Sequence, residues 1–221
     1  QRKGSVNFMK IAVFMGGISS EKEVSLRTGT AILNSLLKQG YDAYGIVLDK
    51  NNLLSAFTDN EYDLAYLALH GEYGEDGRIQ GLLDILGKKY TGCGMISSAV
   101  SMDKDLTKKI AQAVGVRTAK SYTREDVENI TEYPVVVKPS TEGSTVGLYI
   151  CHNLEELKDA IEKSGDKDLV IEEFIKGEEL TVGVVEGEAL GVLKITPKIG
   201  LYDYKSKSVS YTHLTLPTIR L

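Results

Sequence analysis

The first hundred residues alternate between short apolar runs and helix-like segments, and this alternation restricts the possible folds more than any other feature. Residues 10–15, 43–48 and 64–69 are apolar runs of strand length. Residues 21–39 and 78–86 have the character of helices, and each segment stops just before a glycine, as helix C-termini often do. With a further short helix expected near residues 53–57, the resulting β–α–β–α–β order predicts a parallel sheet.

Two loops of this predicted sheet carry groups that suit ligand binding. Ligands of parallel sheets lie beyond the carboxyl ends of the strands, where residues 16–20 and 70–77 both fall. The string HGEYGEDGRIQG at 70–81 combines a histidine with several glycines and carboxylates, more than a simple connection requires. We therefore expect a binding site at this edge.

The pattern changes near residue 101, and we place a domain boundary at residues 98–103. The following half combines locally paired strands with helices, which predicts an antiparallel α+β fold. Its expected elements are a helix at 103–114, a strand at 119–122, a hairpin within 134–150, a helix at 154–163 capped by Asn153, a strand at 169–172 and a hairpin at 179–195.

The stretch PVVVKPSTEGSTVG at 134–147 contains the second candidate site. Its valines predict a buried strand that Lys138 closes, and Pro139, which has no N–H, makes further pairing unfavourable. The following loop of small residues can offer backbone N–H groups and hydroxyls to phosphate, with Lys138 as a positive charge. An ordinary hairpin with a flexible tip is the alternative interpretation. The stretch is not a P-loop, because its lysine precedes the glycine.

Composition excludes several classes of protein. Of the 221 residues, 42% are hydrophobic and 26% charged, as in soluble globular proteins, and the net charge of −5 argues against a nucleic-acid partner. No apolar run approaches the roughly 18 residues of a membrane span. Cys93 and Cys151 match no metal or redox spacing. We expect a cytoplasmic protein.

Both ends of the sequence look foreign to the rest. Met9 is a plausible initiator, with residues 1–8 as a leader. The tail at 208–221, SVSYTHLTLPTIRL, has neither strand alternation nor a helical face. We expect a truncation with non-native residues from about Ser208.

Four motifs in order give the chain a family resemblance. GGISSEKEVSL at 16–26, the 70–81 string, SMDK at 101–104 and VVKPSTEGSTVG resemble the D-alanine–D-alanine ligases, which are ATP-grasp carboxylate–amine ligases. The resemblance implies an α/β, Rossmann-like substrate domain at 9–100. An α+β ATP-grasp central domain would follow at 101–207, with the C-terminal part of that fold missing.

The resemblance also implies a reaction in two steps. One D-alanine carboxylate takes the γ-phosphoryl group of ATP, and the amine of a second D-alanine attacks the acyl phosphate. The product, D-alanyl-D-alanine, serves peptidoglycan precursor synthesis. Phosphorylation supplies a leaving group, so the enzyme mainly positions reactants and neutralises charge.

By the same resemblance, Glu21 binds the ammonium of the first D-alanine and His70 contacts that substrate. Val24 and Ser25 complete this substrate set. Ser144, together with Glu21, is implied to orient the second substrate and ease its deprotonation, which makes these two the catalytic residues. Taken singly, Glu21 reads as a solvated first-turn glutamate and His70 as a core-facing histidine.

The implied ATP site draws on both halves of the sequence. Lys104 and Lys138 would contact the phosphates, Glu179 the ribose, and Tyr202 and Lys207 would lie on a loop that closes over the phosphates and excludes water. The implied adenine contacts come from a hinge segment comprising Glu172, Glu173, Phe174 and Ile175.

The sequence also departs from the family pattern. Position 208 is serine, where a tyrosine would select D-alanine and a histidine D-lactate as second substrate. The oxyanion arginine and the ligands of Mg²⁺ (or Mn²⁺) belong to the missing segment, so no metal ligand is expected in this chain. We expect weak substrate binding and no turnover from the chain as given, and a homodimer for the family.

Three other interpretations remain open besides the D-alanine–D-lactate ligase. The first is an ATP-grasp ligase acting on another acid. The second is a dinucleotide-binding oxidoreductase, although GGISSE lacks the third glycine of GxGxxG. The third is a non-catalytic binding fragment.

Overall fold

The computed structural model describes residues 9–143, 145–185 and 187–195. The chain divides into two compact units, Gln1–Ala113 and Val114–Leu221. The first unit contains β1 (Ile11–Gly16), α1 (Lys22–Lys38), β2 (Ala43–Leu48), α2 (Ser55–Thr58), β3 (Leu64–Leu67), α3 (Arg78–Ile85), β4 (Lys89–Tyr90), α4 (Met95–Met102) and α5 (Lys104–Ala113).

The strands of the first unit form one parallel sheet in the order β2-β1-β3-β4. β1 is buried along its whole length, because helices cover both faces of the sheet. Ile11, Val13 and Met15 pack on the α1 side, whereas Ala12 and Phe14 face the opposite core. The predicted parallel sheet is confirmed.

α1 lies close against β1. A Cβ atom at Gly29 would come within 2.4 Å of the Met15 Cβ, so only glycine allows this approach. On the other face, the Phe14 ring stacks on Phe57 with centroids 4.3 Å apart, and Tyr62 meets Phe14 edge-on at 5.3 Å. These contacts hold α1 against one face of β1 and α2 against the other.

The segment 89–102 contains two elements that the sequence analysis did not predict, β4 and α4. The apolar residues of α4 share one side of the helix, but the helix has only eight residues, and Ser98, on its other side, is its only buried residue. Packing explains the helix better than periodicity does, because Met95 lies against Gly77 and Gly81 of the α3 region. α5 follows α4 directly and falls in the first unit, whose border at Ala113 differs from the boundary expected at 98–103.

The second unit contains β5 (Ser121–Tyr122), a 3₁₀-helix (Arg124–Asn129), β6 (Val135–Pro139), β7 (Tyr149–Cys151), α6 (Leu154–Ser164), β8 (Leu169–Glu173), β9 (Glu179–Val185) and β10 (Glu188–Ile195). Its four-stranded sheet has the order β5-β8-β6-β7 with antiparallel pairs, as predicted. β9 and β10 form a separate antiparallel hairpin, also as predicted.

α6 covers one face of the four-stranded sheet. Leu157 and Ala160 of α6 join Val135, Val137 and Ile171 in a buried cluster. The Asn153 side chain accepts a hydrogen bond from the Glu156 N–H at 2.9 Å, which confirms the predicted helix cap.

One prediction about this sheet is wrong. Pro139 was expected to end pairing after Lys138, yet β6 continues through Pro139, which lies in register with Leu169. Proline lacks only the N–H, so its backbone can still follow the strand at the end of a ladder. The next residue resumes bonding, since Ser140 N–H donates to the Asp168 carbonyl at 2.8 Å.

Among the described residues, no helix combines the length and the apolarity needed to cross a membrane.

Candidate active site

The strand order of the first unit creates a switch point between β1 and β3. From β1 the chain moves to β2 on one side, and it then returns to β3 on the other side of β1. Loops that follow the two central strands of such a sheet diverge and leave a crevice where ligands bind. The loop after β1 leads to Glu21 and the loop after β3 begins near His70. The sequence therefore places both predicted substrate residues at this edge.

Hydrogen bonds join these two loops. The Ser19 hydroxyl donates to the His70 carbonyl at 2.7 Å and accepts from the Glu21 N–H at 3.2 Å. Glu21 is the N-cap residue of α1, yet its carboxylate does not cap the helix. A Cβ atom at Gly71 would lie 3.1 Å from Glu21 Oε2, so that oxygen closely approaches the second loop. Glu21 and His70 are thus brought together.

His70 is held on both sides of its ring. Its Nδ1 lies 3.8 Å from Glu75 Oε1, and its Nε2 lies 3.4 Å from the Thr28 hydroxyl of α1. The Glu75 carboxylate raises the pKa of His70, burial opposes that rise, and the charge of Glu21 adds to it. The imidazole consequently stays protonated to a higher pH than an isolated histidine does.

Glu75 also shapes the loop that carries His70. Its Oε2 accepts a hydrogen bond from the Gly71 N–H at 2.7 Å. Burial raises the pKa of Glu75, but the interactions with His70 and Gly71 outweigh burial and lower it overall. Glu75 is therefore an anion that closes the loop on itself.

The far side of this loop is equally well tied. Asp76 accepts from the Tyr73 N–H at 2.8 Å and from Arg78 Nη1 at 3.0 Å. Arg78 also lies over the Tyr73 ring, with its Cζ 4.7 Å from the centroid. The buried Gln80 donates to the Gly74 carbonyl at 2.8 Å. The loop is a preformed structure with internal support.

The two α1 residues of the predicted substrate set lie differently. Val24 is half-buried in the first turn of the helix. Ser25 is fully buried, and its hydroxyl donates to the Ala68 carbonyl at 2.5 Å and accepts from the Gly16 N–H at 2.9 Å. Ser25 therefore lies behind the loops rather than on their surface.

In the second unit, Lys138 and Glu172 are brought together as an ion pair. They lie on neighbouring strands, on the sheet face opposite to α6, because their neighbours Val137 and Ile171 point into the α6 core. Glu172 is almost buried, with 8% of its surface exposed. Burying a charged pair costs free energy unless further hydrogen bonds, from the protein or from a ligand, satisfy both groups.

At the predicted hinge, hydrogen bonds tie the end of β8 to the residues just before β5 and β6. The Glu173 side chain accepts from the Lys120 N–H at 2.9 Å, and Phe174 N–H donates to the Pro134 carbonyl at 3.1 Å. Ile175 follows with 63% of its surface exposed, and Glu179 begins β9 exposed. Backbone and apolar groups thus become accessible just after the Lys138–Glu172 pair.

The remaining predicted residues fall in the first unit or outside the described residues. Lys104 is half-buried at the start of α5, in the first unit. Ser144, Tyr202, Lys207 and Ser208 lie outside the described residues. In the phosphate loop, the N–H groups of Val146 and Leu148 donate to the carbonyls of Gly143 and Thr145, at 3.1 and 3.4 Å, and so form turns within the loop.

Sequence reasoning gave no role to Ser19 and Glu75, which join and close the two loops. The spacing of His70 and Glu75 within a glycine-rich loop is a usable signal for a supporting carboxylate. It was also not foreseen that the Glu172 side chain would meet Lys138. The signal there is a lysine in the otherwise apolar β6 and two glutamates at the end of the otherwise apolar β8.

The described residues do not provide the group of donor side chains that a metal ion such as magnesium needs. Among residues 9–143, 145–185 and 187–195, no group of three or more His, Cys, Asp or Glu side chains could hold a metal ion. The described residues therefore do not fit a metal site.

Family models cover most of the chain. Residues 103–219 match the model described as the D-ala D-ala ligase C-terminus, and residues 53–93 match the D-ala D-ala ligase N-terminus. The likeness thus extends over both units.

Individual relatives agree with the family models. A D-alanine–D-alanine ligase of Fusobacterium nucleatum subsp. nucleatum is 62% identical over 200 residues, which cover 90% of this chain and 68% of that relative. A crystal structure of D-alanine–D-alanine ligase from Bacillus anthracis, 36% identical, has a TM-score of 0.78 and covers 96% of this chain and 72% of that chain. A structure from the same organism complexed with ATP, also 36% identical, has a TM-score of 0.75 and covers 90% and 68%.

These likenesses confirm the expected fold class, a parallel-sheet unit followed by an ATP-grasp unit. They do not favour the other ligases left open above, since the similar relatives carry the D-alanine–D-alanine ligase name. The chain belongs to the D-alanine–D-alanine ligase family.

Proposed function

We propose that this chain carries the D-alanine and nucleotide sites of an ATP-dependent, ADP-forming ligase that makes D-alanyl-D-alanine for peptidoglycan synthesis. One observation carries the proposal above all. Glu21 and His70, which lie far apart in sequence, meet at the β1/β3 switch point through Ser19 and Gly71. We place the protein in the cytoplasm, and a homodimer remains a prediction.

The first unit suits a small zwitterion. A free amino acid carries an ammonium and a carboxylate, and the cluster offers the Glu21 carboxylate beside an imidazole whose pKa is raised. Charge-assisted hydrogen bonds of this kind are the strong ones. We assign the ammonium of the first D-alanine to Glu21 and a further contact to His70.

The second unit suits a nucleotide. Lys138 supplies a positive charge, and the hinge after β8 exposes Ile175 and the backbone beside it. A solved relative from Bacillus anthracis is complexed with ATP. We assign the phosphates to Lys138 and Lys104, adenine to the hinge residues 172–175, and the ribose to Glu179. Tyr202 and Lys207 are proposed to close over the phosphates.

In the proposed chemistry, each new bond between heavy atoms is matched by one that breaks. A carboxylate oxygen of the first D-alanine bonds to the γ-phosphorus of ATP, and the bond from that phosphorus to the bridging oxygen breaks, which releases ADP. The amine of the second D-alanine then bonds to the acyl carbon, the bond from that carbon to the phosphate oxygen breaks, and the amine proton is balanced by the inorganic phosphate that leaves. Glu21 and Ser144 are proposed to orient this amine. The two units supply position and charge, which dominate catalysis of phosphoryl transfer.

Binding of D-alanine to the chain tests the proposal. We expect D-alanine to shift the amide resonance of Gly71 and the ring resonances of His70 in nuclear magnetic resonance spectra. Glu21→Gln removes the charge but keeps the size of the side chain, so we expect it to weaken binding about tenfold or more.

L-Alanine and Glu23→Gln are the matched controls. L-Alanine has the same charges with the opposite configuration, and Glu23 is an exposed acid in the same first turn of α1. Equal shifts from both alanine enantiomers, or equal losses from both glutamate variants, would contradict the assignment of Glu21 to the D-alanine ammonium.

A further inference from the structure

Ser25 occupies an unusual position for a residue of the predicted substrate set. It is fully buried, and its hydroxyl makes two hydrogen bonds. The hydroxyl accepts from the Gly16 N–H at the end of β1 and donates to the Ala68 carbonyl just after β3. A buried hydroxyl with both partners in place is a rigid support, because losing either partner leaves a buried polar group unsatisfied.

The two strand ends that Ser25 joins are those that lead into the two substrate loops. The chain passes from Gly16 through Ser19 to Glu21, and from Ala68 to His70 and Gly71. Ser25 N–H also donates to the Glu21 carbonyl at 3.0 Å, so the same residue fixes the start of α1. Its backbone and its hydroxyl thus touch all three segments that define the site.

The other contacts between the loops are more peripheral. Ser19 joins the loops at the partly buried surface, and the Thr28 hydroxyl meets His70 at 3.4 Å. Neither of these hydroxyls contacts the strand ends themselves. The Ala68 N–H already donates to the Phe14 carbonyl at 2.9 Å, and Ser25 extends this connection beyond the β1–β3 ladder by joining Ala68 to Gly16 at the end of β1.

We propose that Ser25 is a positioning residue, whose buried hydroxyl sets the spacing between Glu21 and the His70–Gly71 segment for D-alanine. The proposal rests on the function proposed above. It replaces the direct substrate contact expected for Ser25 with an indirect role. Binding groups need to be held within about half an ångström of their working positions, so a support at this point has a large effect on affinity.

Three variants of the full chain test the proposal. Ser25→Ala removes the hydroxyl. Ser35→Ala makes the same change on the exposed side of the same helix, where the hydroxyl only accepts from Gln39 Nε2 at 3.1 Å. Leu83→Val shortens a fully buried side chain of α3 in the core across the sheet, and so lowers stability from a position outside both loops.

Two measurements are made below the unfolding range of every variant. The first records amide and histidine-ring resonances without ligand. For Ser25→Ala we expect shifts that reach Gly71 and the His70 ring, which the two controls leave in place. The second is D-alanine affinity per folded molecule, which we expect to fall about tenfold for Ser25→Ala and less than about twofold for the controls.

The outcomes separate this inference from the proposed function. Shifts confined to Gly16 and Ala68, or a loss of affinity that Leu83→Val reproduces, would show that Ser25 only stabilises the fold and would overturn the inference. If the unaltered chain does not respond to D-alanine, the proposed function fails, while the ligand-free resonances still decide whether Ser25 sets the loop spacing. Should Ser25→Ala not fold, Ser25→Cys takes its place with smaller shifts at the same two positions.

Discussion

At the scale of single residues, Gly71 is the glycine of the 70–77 loop that faces Glu21 in the candidate D-alanine site. Its φ of 67° lies in the left-handed region, and a Cβ atom there would meet Glu21 Oε2 and the Ser19 Cβ, each at 3.1 Å. Two requirements therefore coincide at one position. The backbone needs glycine for its conformation, and the site needs the space that a methyl group would fill.

We expect Gly71→Ala to lose about 1 kcal/mol of stability through backbone strain, and to lose D-alanine affinity as well. Gly40→Ala separates these effects. Gly40 has a φ of 84°, and nothing lies within 4 Å of its Cβ position. Urea unfolding should show similar losses for both variants, whereas a D-alanine titration should show a loss only for Gly71→Ala. Equal affinities in the two variants would mean that crowding at Glu21 is unimportant.

The His70–Glu75 pair gives a pH dependence whose sign follows from the two shifts. The pKa of His70 is raised above 6.5, so its contribution to stability is complete below pH 6.5 and is lost as pH rises through the raised value. The pKa of Glu75 is lowered below 4.5, so its contribution is present above pH 4.5 and is lost as pH falls through the lowered value. The pair therefore stabilises most between these limits.

Glu75→Gln should accordingly lower the unfolding free energy more at about pH 5.5 than at about pH 8.5. It should also move the titration midpoint of the His70 ring downward, which histidine resonances report directly. Glu72→Gln is a suitable control, because Glu72 lies in the same loop and pairs with Arg78 instead. A pH-independent loss of stability in Glu75→Gln would argue that its bond to the Gly71 N–H matters and its charge does not.

At the scale of elements, α6 is fixed at its start by a reciprocal cap. Asn153 Oδ1 accepts from the Glu156 N–H at 2.9 Å, while Glu156 Oε2 accepts from the His152 N–H at 2.8 Å. The first bond satisfies an N–H group that the helix start leaves without a partner, and the second ties the first turn to the residue before the cap. The cap thus orients the helix that covers one sheet face, while the Lys138–Glu172 pair lies on the other.

We expect Asn153→Ala to reduce protection of the Leu157 amide about fivefold in hydrogen exchange, which corresponds to a loss of about 1 kcal/mol. Leu157 N–H donates to the Asn153 carbonyl at 3.1 Å, so it reports on the first turn. Asn153→Ser keeps an acceptor and should retain most of the protection. Unchanged protection in the alanine variant would show that packing, rather than the cap, holds this end.

At the scale of the whole molecule, the two ligand classes are assigned to different units. D-Alanine is assigned to residues of the first unit and adenine to residues of the second. A substitution in one unit should therefore weaken the affinity for one ligand and leave the affinity for the other unchanged, provided that each ligand is measured alone. This is a stronger test of the division of labour than loss of the complete reaction, which any damaged site would cause.

We expect Lys138→Gln to weaken ATP binding about tenfold and to leave D-alanine binding intact, with Glu21→Gln showing the reverse pattern. Part of the effect at Lys138 will be structural, because the variant leaves Glu172 buried without its cation. Lys167→Gln, which breaks an exposed ion pair with Glu142, is the control for a lysine in the same unit. The division of labour would be wrong if each substitution weakened both ligands equally.

Much of the fold could be predicted from the sequence because its strands and helices are strongly patterned. The all-apolar β1 and the glycine after α1 marked two elements to within a residue or two. α4 was missed for the opposite reason. Its apolar pattern extends over only eight residues, too few to mark a helix clearly, and its position depends on contacts between Met95 and two glycines of the α3 region.

The candidate site could be predicted as a set of residues but not as an arrangement. Glu21, His70 and Lys138 were found through motifs whose residue types suit an amino acid and a phosphate. Glu75 and Ser19 were missed, because a supporting role depends on which backbone groups lie within reach. The family resemblance placed Ser25 with the substrate contacts, and the fold buries its hydroxyl between the ends of β1 and β3.

The sequence by itself determined the order of elements, the parallel and antiparallel character of the two sheets, and the family to which the chain is similar. These follow from periodicity and short motifs, which are local properties of the chain. Only the tertiary structure decided that the Glu21 carboxylate closely approaches Gly71, that Glu75 supports His70, and that Glu172 forms an ion pair with Lys138. Those contacts join residues that different strands carry to one edge or one face, and strand order and register are set by packing of the whole unit.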